Sequence, residues 1–344
     1  MRADPLFELD SDPKRPFRVL IVKLSSLGDV IHTLPVVHDL LGYRDDIVID
    51  WVVEEAFADL VGRTQGVRKV IPVKLRRWVR HLFLGESRTE WKAFVANLRS
   101  ERYDAVFDLQ GLSKSALVAA FARMTIPGQR IAMANRTEGS SYEVLTRLAA
   151  DVAIRLEPRV DAITRGRLLC AKSQNYPLPK QLVYGLQPQA ATHNLAGQVM
   201  LITGSSRANK TWPQAHWVGL VAHLNAQGLG CVLVHGDDKE LAQCNKLVAQ
   251  CTAGAQVRIL PRMPLAELMD HMASCAGVVG VDSGLSHLAV ALDLPHVQIY
   301  NFETAWRTGP QGLARQVCVV ARPTPSLEQV IAAWQGVRQA PLSA

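Results

Sequence analysis

The sequence predicts an α/β protein made of two doubly wound, Rossmann-like lobes with a ligand cleft between them. Its 344 residues exceed the size at which a single hydrophobic core keeps growing. Short apolar runs alternate with stretches of helical spacing in two separate series, a pattern typical of parallel sheets covered by helices on both faces. A polar stretch containing Pro177, Pro179, Gly185 and Pro188 separates the two series, and we interpret it as the linker.

The elements of the first lobe follow a polar tail, residues 1–17. The apolar run Val19-Leu20-Ile21-Val22 predicts the first strand, and the spacing after it predicts a helix over 30–41. Further strands are predicted at 47–53, at 105–109 and around Ile131, with helices at 91–100 and 113–124. We therefore expect the first lobe to span 18–175 and the linker to span 176–196.

The second lobe, 197–344, repeats the alternation. Strands are predicted at 199–203, 231–235, 257–260, 277–281 and 297–300, with helices beginning at 213, 237, 264 and 285 and one more helix near the C-terminus. Doubly wound sheets bind ligands at the carboxyl ends of their strands. We therefore expect functional side chains in the loops that follow the strands.

The composition excludes several classes of protein. A hydrophobic content of 48% with 20% charged residues is ordinary for a soluble globular chain. The six cysteines are scattered without a Cys-x-x-Cys pair, which predicts core thiols in a reducing compartment and no metal site. The acidic first residues do not fit a secretory signal, and no apolar run approaches the roughly 18 residues of a membrane span. We therefore expect a cytoplasmic protein.

The positive charge is concentrated in one place. Almost all of the net charge of +7 belongs to the first half of the chain, and residues 63–80 contain seven basic side chains and no acidic one. This basic segment predicts an anionic partner for the first lobe. A nucleic acid is the weaker interpretation, because its binding needs a broad basic surface and this charge is local.

Two loops of the second lobe carry groups that suit a diphosphate. Residues 280–287 follow a buried strand and open a helix, whose free N–H groups and partial positive charge favour a phosphate. Capping of that helix by Asp282 or Ser283 is the alternative. The other loop offers the hydroxyls of Ser205 and Ser206 and the ammonium of Lys210, a point charge suited to a leaving phosphate.

A third loop of this lobe, residues 235–240, is rich in carboxylates. Acidic side chains at a strand end bind ribose hydroxyls in dinucleotide folds. The charge balance of a helix N-terminus explains Asp237 and Asp238 equally well, and we predict that both are caps.

In the first lobe, the loop 23–29 places Asp29 between a strand and a helix. A carboxylate there could accept a proton from a hydroxyl nucleophile, and an N-terminal helix cap is the alternative. Gly28 is the only glycine of the loop, so the Gly-x-Gly-x-x-Gly fingerprint is absent. This absence argues against a dehydrogenase.

Four segments together resemble glycosyltransferase family 9, the lipopolysaccharide heptosyltransferases with the GT-B fold. They are Val22-Lys23-Leu24-Ser25-Ser26-Leu27-Gly28-Asp29-Val30, Ile71-Pro72-Val73 with Arg76-Arg77-Trp78, Asp108-Leu109-Gln110-Gly111-Leu112-Ser113-Lys114-Ser115, and Val281-Asp282-Ser283-Gly284-Leu285-Ser286-His287. The likeness runs in order from about residue 18 to about residue 330. Within the family, the combination is most similar to the enzymes that add the first heptose.

The resemblance implies an inverting enzyme without metal or cofactor. Its reaction would be the transfer of L-glycero-D-manno-heptose from ADP-heptose to the Kdo of Kdo-lipid A, releasing ADP, by a monomer at the cytoplasmic face of the inner membrane. It implies that Asp29 is the general base and that Lys210 assists the departing ADP. The implied donor-binding positions are Ser205, Ser206, Lys210, Glu240, Met263, Asp282, Ser283, Gly284 and His287. The implied acceptor-binding positions are Lys23, Ser25, Gly28, Arg76, Arg77, Arg80, Gln110, Lys114 and Arg136.

One segment departs from the pattern of the family. Its members often have Tyr-Gly-x-Thr after the last strand of the donor lobe, and this chain reads Tyr300-Asn301-Phe302-Glu303-Thr304. We expect Asn301 to keep the turn by adopting the left-handed conformation that asparagine tolerates. A later core heptosyltransferase, acting on an acceptor that already bears a heptose, is the alternative within the family, and Arg76-Arg77-Trp78 favours the first step.

Overall fold

The structure is a computed structural model. It describes residues 15–80, 85–192, 194–205, 207–311 and 314–340, without the side chains of residues 76, 79 and 80. The chain divides into two compact units, of which the first ends at Gln187 and the second begins at Pro188.

The first unit is a parallel sheet of six strands with helices. The strands are β1 (Phe17–Val22), β2 (Ile47–Glu54), β3 (Val67–Val73), β4 (Tyr103–Asp108), β5 (Met124–Met133) and β6 (Val152–Ile154). The helices are α1 (Leu27–Thr33), α2 (Pro35–Tyr43), α3 (Ala58–Gly62), α4 (Leu75–Arg80), α5 (Gly85–Leu98), α6 (Ser113–Phe121) and α7 (Ala162–Gln174). The spatial order β3-β2-β1-β4-β5-β6 is that of a doubly wound fold, and it reverses between β1 and β4.

The second unit has the same architecture. Its strands are β7 (Gln198–Ile202), β8 (Gly230–Leu233), β9 (Val257–Ile259), β10 (Gly277–Val281), β11 (His296–Tyr300) and β12 (Gln316–Val320). Its helices are α8 (Gln214–Ala226), α9 (Asp238–Gln250), α10 (Leu265–Ala273), α11 (Gly284–Ala291), α12 (Ala305–Thr308) and α13 (Leu327–Gln339). The order β12-β11-β10-β7-β8-β9 reverses between β7 and β10. The predicted α/β class and the two Rossmann-like lobes are confirmed.

Several elements differ from the prediction. The helix expected over 30–41 is two helices, because Pro35 begins α2 and has no N–H with which to continue α1. Strands β3, β6 and β12 and helices α3, α4, α7 and α12 were not predicted. In β3, Arg68, Lys69 and Pro72 obscure the apolar pattern, and an edge strand tolerates such residues.

The cores lie on the faces of the two sheets. In the first unit, residues 19–22 of β1 are fully buried, as expected for a strand covered on both faces. In the second unit, Trp217 of α8 and Trp334 of α13 pack with the strands in one cluster. No helix of the described residues is long and apolar enough to cross a membrane.

The six cysteines are free thiols. Four of them are buried, as predicted for core thiols, while Cys251 and Cys318 are partly exposed. Burial raises the pKa of Cys231 and of Cys275 to about 12, so these two thiols are protonated and unreactive at neutral pH.

Candidate active site

The loop after β1 is held in place by Gln110, which follows β4. The side chain of Gln110 is buried, and its Oε1 accepts hydrogen bonds from the backbone N–H groups of Leu24 and Ser25 at 3.1 and 3.2 Å. The loop therefore lies where the strand order reverses, the position at which doubly wound folds bind ligands. Gln110, predicted to contact an acceptor, uses its amide oxygen to fix this loop.

Two lysines bring positive charge to the same loop. Lys23 is buried, its Nζ donates to the carbonyl of Leu109 at 2.9 Å, and burial lowers its pKa. The Nζ of Lys114, on α6, lies 3.4 Å from the Oγ of Ser25. Four of the predicted acceptor-binding residues, Lys23, Ser25, Gln110 and Lys114, thus lie together at the carboxyl ends of β1 and β4.

Asp29 lies in the first turn of α1 and completes a capping box with Ser26. Its Oδ2 accepts hydrogen bonds from the backbone N–H of Ser26 at 3.2 Å and from the Oγ of Ser26 at 2.8 Å. Its Oδ1 lies 3.9 Å from the Nζ of Lys23 and accepts no hydrogen bond from the described part of the chain. The side chain is 39% exposed. Ser26 is therefore the cap, and Asp29 supports it with one oxygen while the other is left for a further contact.

The surroundings keep Asp29 ionised. Removal of water by burial raises the pKa of a carboxyl group, but the ammonium of Lys23 and the hydrogen bonds from Ser26 outweigh this effect. Together they bring the pKa of Asp29 to about 2. At neutral pH the carboxylate therefore holds no proton, as a proton acceptor requires.

The other predicted acceptor residues are more dispersed. Gly28 is the second residue of α1, and Arg136 is an exposed residue beyond the end of β5. Arg77 lies on α4, and its contacts are with α5 rather than with the loop after β1. The side chains of Arg76 and Arg80 lie outside what the structure describes.

The basic segment 63–80 meets acidic side chains from other parts of the chain. The ion pairs, at 2.7 to 3.5 Å, are Arg68–Asp50, Arg68–Glu101, Lys74–Glu55, Lys74–Glu90, Arg77–Glu86 and Arg77–Glu90. Trp78 is buried and its Nε1 donates to Glu90 at 2.8 Å. Arg68, Lys74 and Arg77 of this segment are therefore paired within the described part of the chain, and any anionic ligand of Arg77 must compete with two glutamates.

In the second unit, Lys210, Asp282 and His287 form a cluster at the carboxyl ends of β7 and β10. The Nζ of Lys210 donates to Oδ2 of Asp282 at 2.5 Å, and Nε2 of His287 lies 3.5 Å from Oδ1 of Asp282. Burial opposes the ionisation of Asp282, but His287 and Lys210 hold its pKa well below the usual range. The cluster thus fixes the position of an ammonium group at the second reversal of strand order.

The turn after β10 opens helix α11. Ser283 is the N-cap and its Oγ accepts a hydrogen bond from the backbone N–H of Ser286 at 3.5 Å, while Gly284 is the first helical residue. A helix N-terminus has N–H groups without helical partners and a partial positive charge. With Lys210 nearby, this end of α11 is suited to an anionic group such as a phosphate.

The remaining donor-binding predictions fall on neighbouring loops. The Oγ of Ser205 donates to the carbonyl of Asp282 at 3.2 Å, which joins the loop after β7 to the turn after β10. Met263 is partly exposed in the loop that precedes α10. Ser206 lies outside the described residues.

Glu240 of α9 contacts the loops that follow β7 and β8. Its Oε2 accepts a hydrogen bond from the backbone N–H of Gly236 at 2.6 Å, and a Cβ atom at Gly204 would lie only 2.6 Å from its Oε1. Asp237 is the N-cap of α9 and accepts from the N–H of Glu240 at 2.8 Å, whereas Asp238 is the first helical residue. Asp237 is therefore the N-cap as predicted, whereas Asp238 does not cap the helix and lies in its first turn, where a carboxylate balances the charge of the N-terminus.

The sequence interpretation missed two buried side chains that order these loops. Oδ1 of Asp108 accepts from the N–H groups of Gln110 and Gly111 at 3.0 and 3.1 Å, and burial raises the pKa of Asp108. Gln298 of β11 places its Nε2 3.4 Å from Nδ1 of His287. An aspartate shortly before a glycine is a signal for such a turn, but nothing in the sequence pairs Gln298 with His287.

The expectation for Asn301 is wrong. The described non-glycine residues with positive φ are Asn175 and Asp293, so Asn301 is not left-handed. Its buried side chain instead donates hydrogen bonds to the backbone on both sides of Lys210. A glycine at this position has no side chain and could not make these two hydrogen bonds.

Comparison with known proteins identifies the class. The model of glycosyltransferase family 9 (heptosyltransferase) matches residues 91–332. The chain is 37% identical to lipopolysaccharide heptosyltransferase 1 of Escherichia coli K12 over 311 residues, which cover 89% of this chain and 94% of the relative. It is 26% identical to lipopolysaccharide heptosyltransferase 2 of the same organism over 298 residues, which cover 82% of each. The chain therefore belongs to glycosyltransferase family 9.

A solved structure agrees with this assignment. The E. coli heptosyltransferase WaaC with ADP superposes with a TM-score of 0.81 at 33% identity, covering 93% of this chain and 98% of that one. The predicted GT-B class and the predicted enzyme class, a heptosyltransferase, are confirmed. The roles of the individual site residues stay predictions.

Proposed function

We propose that the chain transfers L-glycero-D-manno-heptose from ADP-heptose to a hydroxyl of Kdo in Kdo-lipid A, with inversion and without a metal ion. The observation that carries the mechanism is the carboxylate of Asp29, which is ionised and offers Oδ1 without a hydrogen-bonding partner among the described residues. The acceptor is a lipid, so we place the reaction at the cytoplasmic face of the inner membrane.

Inversion requires a single displacement at the anomeric carbon. The Kdo hydroxyl oxygen forms the new bond to that carbon as the bond from the carbon to the ADP oxygen breaks. The hydroxyl proton passes to Oδ1 of Asp29, and the electron pair of the broken bond leaves with ADP. Lys23, 3.9 Å from Oδ1, keeps the carboxylate unprotonated before the reaction.

The departing diphosphate gains negative charge, which the second unit is equipped to receive. The ammonium of Lys210 and the N-terminus of α11 supply fixed positive charge there. These two groups take the part that a divalent cation plays in other transferases.

The choice of the first heptosylation step rests on two observations. Identity to heptosyltransferase 1 of E. coli exceeds identity to heptosyltransferase 2 by a clear margin over nearly the same length. Kdo carries a carboxylate, and two ammonium groups lie beside the loop that precedes Asp29. The Nζ of Lys114 is 3.4 Å from the Oγ of Ser25, and the Nζ of Lys23 is 3.9 Å from Oδ1 of Asp29. A later core heptosyltransferase is the second candidate.

The variant Asp29→Asn tests the base. Asparagine keeps an oxygen that can accept from Ser26, so the start of α1 is preserved while the proton acceptor is lost. We expect kcat to fall by roughly 10²–10⁴-fold, with ADP-heptose affinity unchanged in calorimetry. Asp46→Asn is the matched control, since Asp46 is an exposed carboxylate that pairs with Arg44 at the opposite end of the strands. Turnover by Asp29→Asn equal to that of the control would remove Asp29 as the base.

The acceptor is tested with two lipids. Purified enzyme is assayed in EDTA with Kdo-lipid A and with its heptosylated product. We expect turnover on Kdo-lipid A alone. Turnover restricted to the heptosylated lipid supports the later enzyme, and loss of all turnover in EDTA that a divalent cation restores contradicts the metal-free mechanism.

A further inference from the structure

Asn301, at the end of β11, is connected to the loop that carries Lys210. Its side chain is buried, with 8% exposed. Nδ2 donates one hydrogen bond to the carbonyl of Asn209 at 3.0 Å and another to the carbonyl of Thr211 at 2.9 Å. These two carbonyls belong to the residues immediately before and after Lys210.

The orientation of the Asn301 amide is fixed by its contacts. Oδ1 accepts a hydrogen bond from the Oγ1 of Thr324 at 2.8 Å. An amide turned by 180° would place its oxygen against the carbonyl oxygens of Asn209 and Thr211, which offer no proton. Both donors and the acceptor of the side chain are therefore committed to one arrangement.

The loop needs these bonds because of its local structure. Residues Ala208–Lys210 form a single 3-10 turn, and the last carbonyls of a helical turn have no partner within it. The nearby Trp212 anchors the chain on one side, where its Nε1 donates to the carbonyl of Pro325 at 2.8 Å. Asn301 supplies the partners on either side of Lys210 itself.

Two independent contacts thus set the position of the Lys210 ammonium. Asp282 holds the charged end at 2.5 Å, and Asn301 holds the backbone from which the side chain extends. The ends of β10 and β11 are joined by a hydrogen bond from the N–H of Asp282 to the carbonyl of Ile299 at 3.2 Å, so both contacts come from one rigid edge of the sheet. A charge that stabilises a leaving group acts best when it is already in place.

We propose that Asn301 is a positioning residue for Lys210, acting through the carbonyls of Asn209 and Thr211. The inference rests on the proposed role of Lys210 in the departure of ADP. Asn301 itself contacts no reacting atom in this scheme. Its removal lets the turn shift, and a displacement of about 1 Å in a reacting group costs up to about 10²-fold in rate.

A double-mutant cycle tests the inference. The variants Asn301→Ala, Lys210→Ala and the double variant are compared for kcat and for the KM of both substrates, each corrected for the folded fraction. We expect Asn301→Ala to lower kcat by roughly 10–100-fold in the wild-type background and by less than about threefold when Lys210 is already alanine. The KM for the lipid acceptor stays unchanged.

Asn225→Ala is the matched control. The Asn225 amide also donates to two carbonyls, those of Leu229 and Gln256, and accepts from the N–H of Gln256, but it lies at the amino ends of the strands. We expect it to lower stability while leaving kcat per folded molecule unchanged. Should Asn301→Ala fold poorly, Asn301→Ser leaves a smaller void, and its short hydroxyl cannot reach both carbonyls.

The outcomes distinguish the positioning role of Asn301 from the proposed role of Lys210 in the departure of ADP. Equal losses from Asn301→Ala in both backgrounds, or an equal loss in Asn225→Ala, overturn the positioning role while leaving the function of Lys210 intact. An unchanged kcat in Lys210→Ala overturns the proposed role of Lys210 and the inference with it. The proposal is supported if Asn301→Ala lowers kcat in the wild-type background but has little effect on kcat when Lys210 is already alanine.

Discussion

Substitution of Lys23 by methionine should raise the pKa of Asp29. Methionine fills a similar volume but removes the ammonium that lies 3.9 Å from Oδ1. Since a nearby positive charge favours the ionised carboxylate, its loss makes the proton harder to remove. In the native protein the pKa is about 2, so the direction of change is upward.

The size of the effect follows from the distance and the exposure. Two unit charges 3.9 Å apart interact by about 4 kcal/mol at an effective dielectric constant of about 20. The Asp29 side chain is 39% exposed, and solvent screening reduces this to roughly 1–2 kcal/mol. That energy corresponds to about a tenfold change in the acid dissociation constant. The pKa should therefore move from about 2 towards the ordinary value near 4.

Carbon-13 NMR of aspartate-labelled protein measures the titration directly. Lys114→Met is the control, because it removes a lysine of α6 whose Nζ contacts Ser25 of the same loop rather than Asp29. We expect the midpoint of Asp29 to rise in Lys23→Met and to stay in place in Lys114→Met. In Lys23→Met, the fall in kcat that accompanies protonation of Asp29 should also move up to a pH at which the rate can be measured. An unchanged midpoint in Lys23→Met would refute the electrostatic account of the site.

Two further predictions concern stability. Arg167 and Asp39 form a buried ion pair with bonds of 2.7 and 2.9 Å. Asp39→Asn should therefore lower the free energy of unfolding, measured by urea denaturation, by about 3–5 kcal/mol. A loss below about 1 kcal/mol would contradict this prediction. Asp282→Asn should destabilise at pH 7, because a carboxyl group with a lowered pKa stabilises the fold above its unfolded value of about 3.9. This difference from the wild type should shrink as the pH falls below about 4, and thermal unfolding at pH 7 and pH 3 checks it.

The central strands could be predicted because their burial is complete. Residues 19–22 of β1 and 277–281 of β10 are apolar throughout or nearly so, as strands covered on both faces must be. The edge strand β3 could not be found in this way, since only Ile71 and Val73 of its seven residues are buried and it contains Arg68 and Lys69. β6 is only three residues long, too short to show a period.

The loops of the site were predictable, but the contacts within them were not. Any residue that follows a buried strand of a parallel sheet lies at the same edge, which was enough to single out Asp29, Lys210 and Asp282. The pairing of Lys210 with Asp282, 72 positions away, depends on β7 lying beside β10. The hydrophobic pattern of single strands predicts where strands occur but not their order in the sheet. For the same reason the sequence did not show that Arg68 and Lys74 of the basic segment pair with Asp50 and Glu55, because these partners lie on other elements of the first unit.

The close approach of Gly204 to Glu240 limits how position 240, a predicted donor-binding residue, can be varied by directed evolution. A Cβ atom at position 204 would lie 2.6 Å from Oε1 of Glu240, so a residue larger than glycine there displaces the glutamate carboxylate, whereas Glu240 can be shortened while glycine stays at 204. Libraries that diversify Glu240 to accept another nucleotide should keep glycine at 204, or pair a larger residue there with a shorter one at 240. Stepwise selection can reach a larger residue at 204 when Glu240 is shortened first, whereas the reverse order passes through a crowded intermediate.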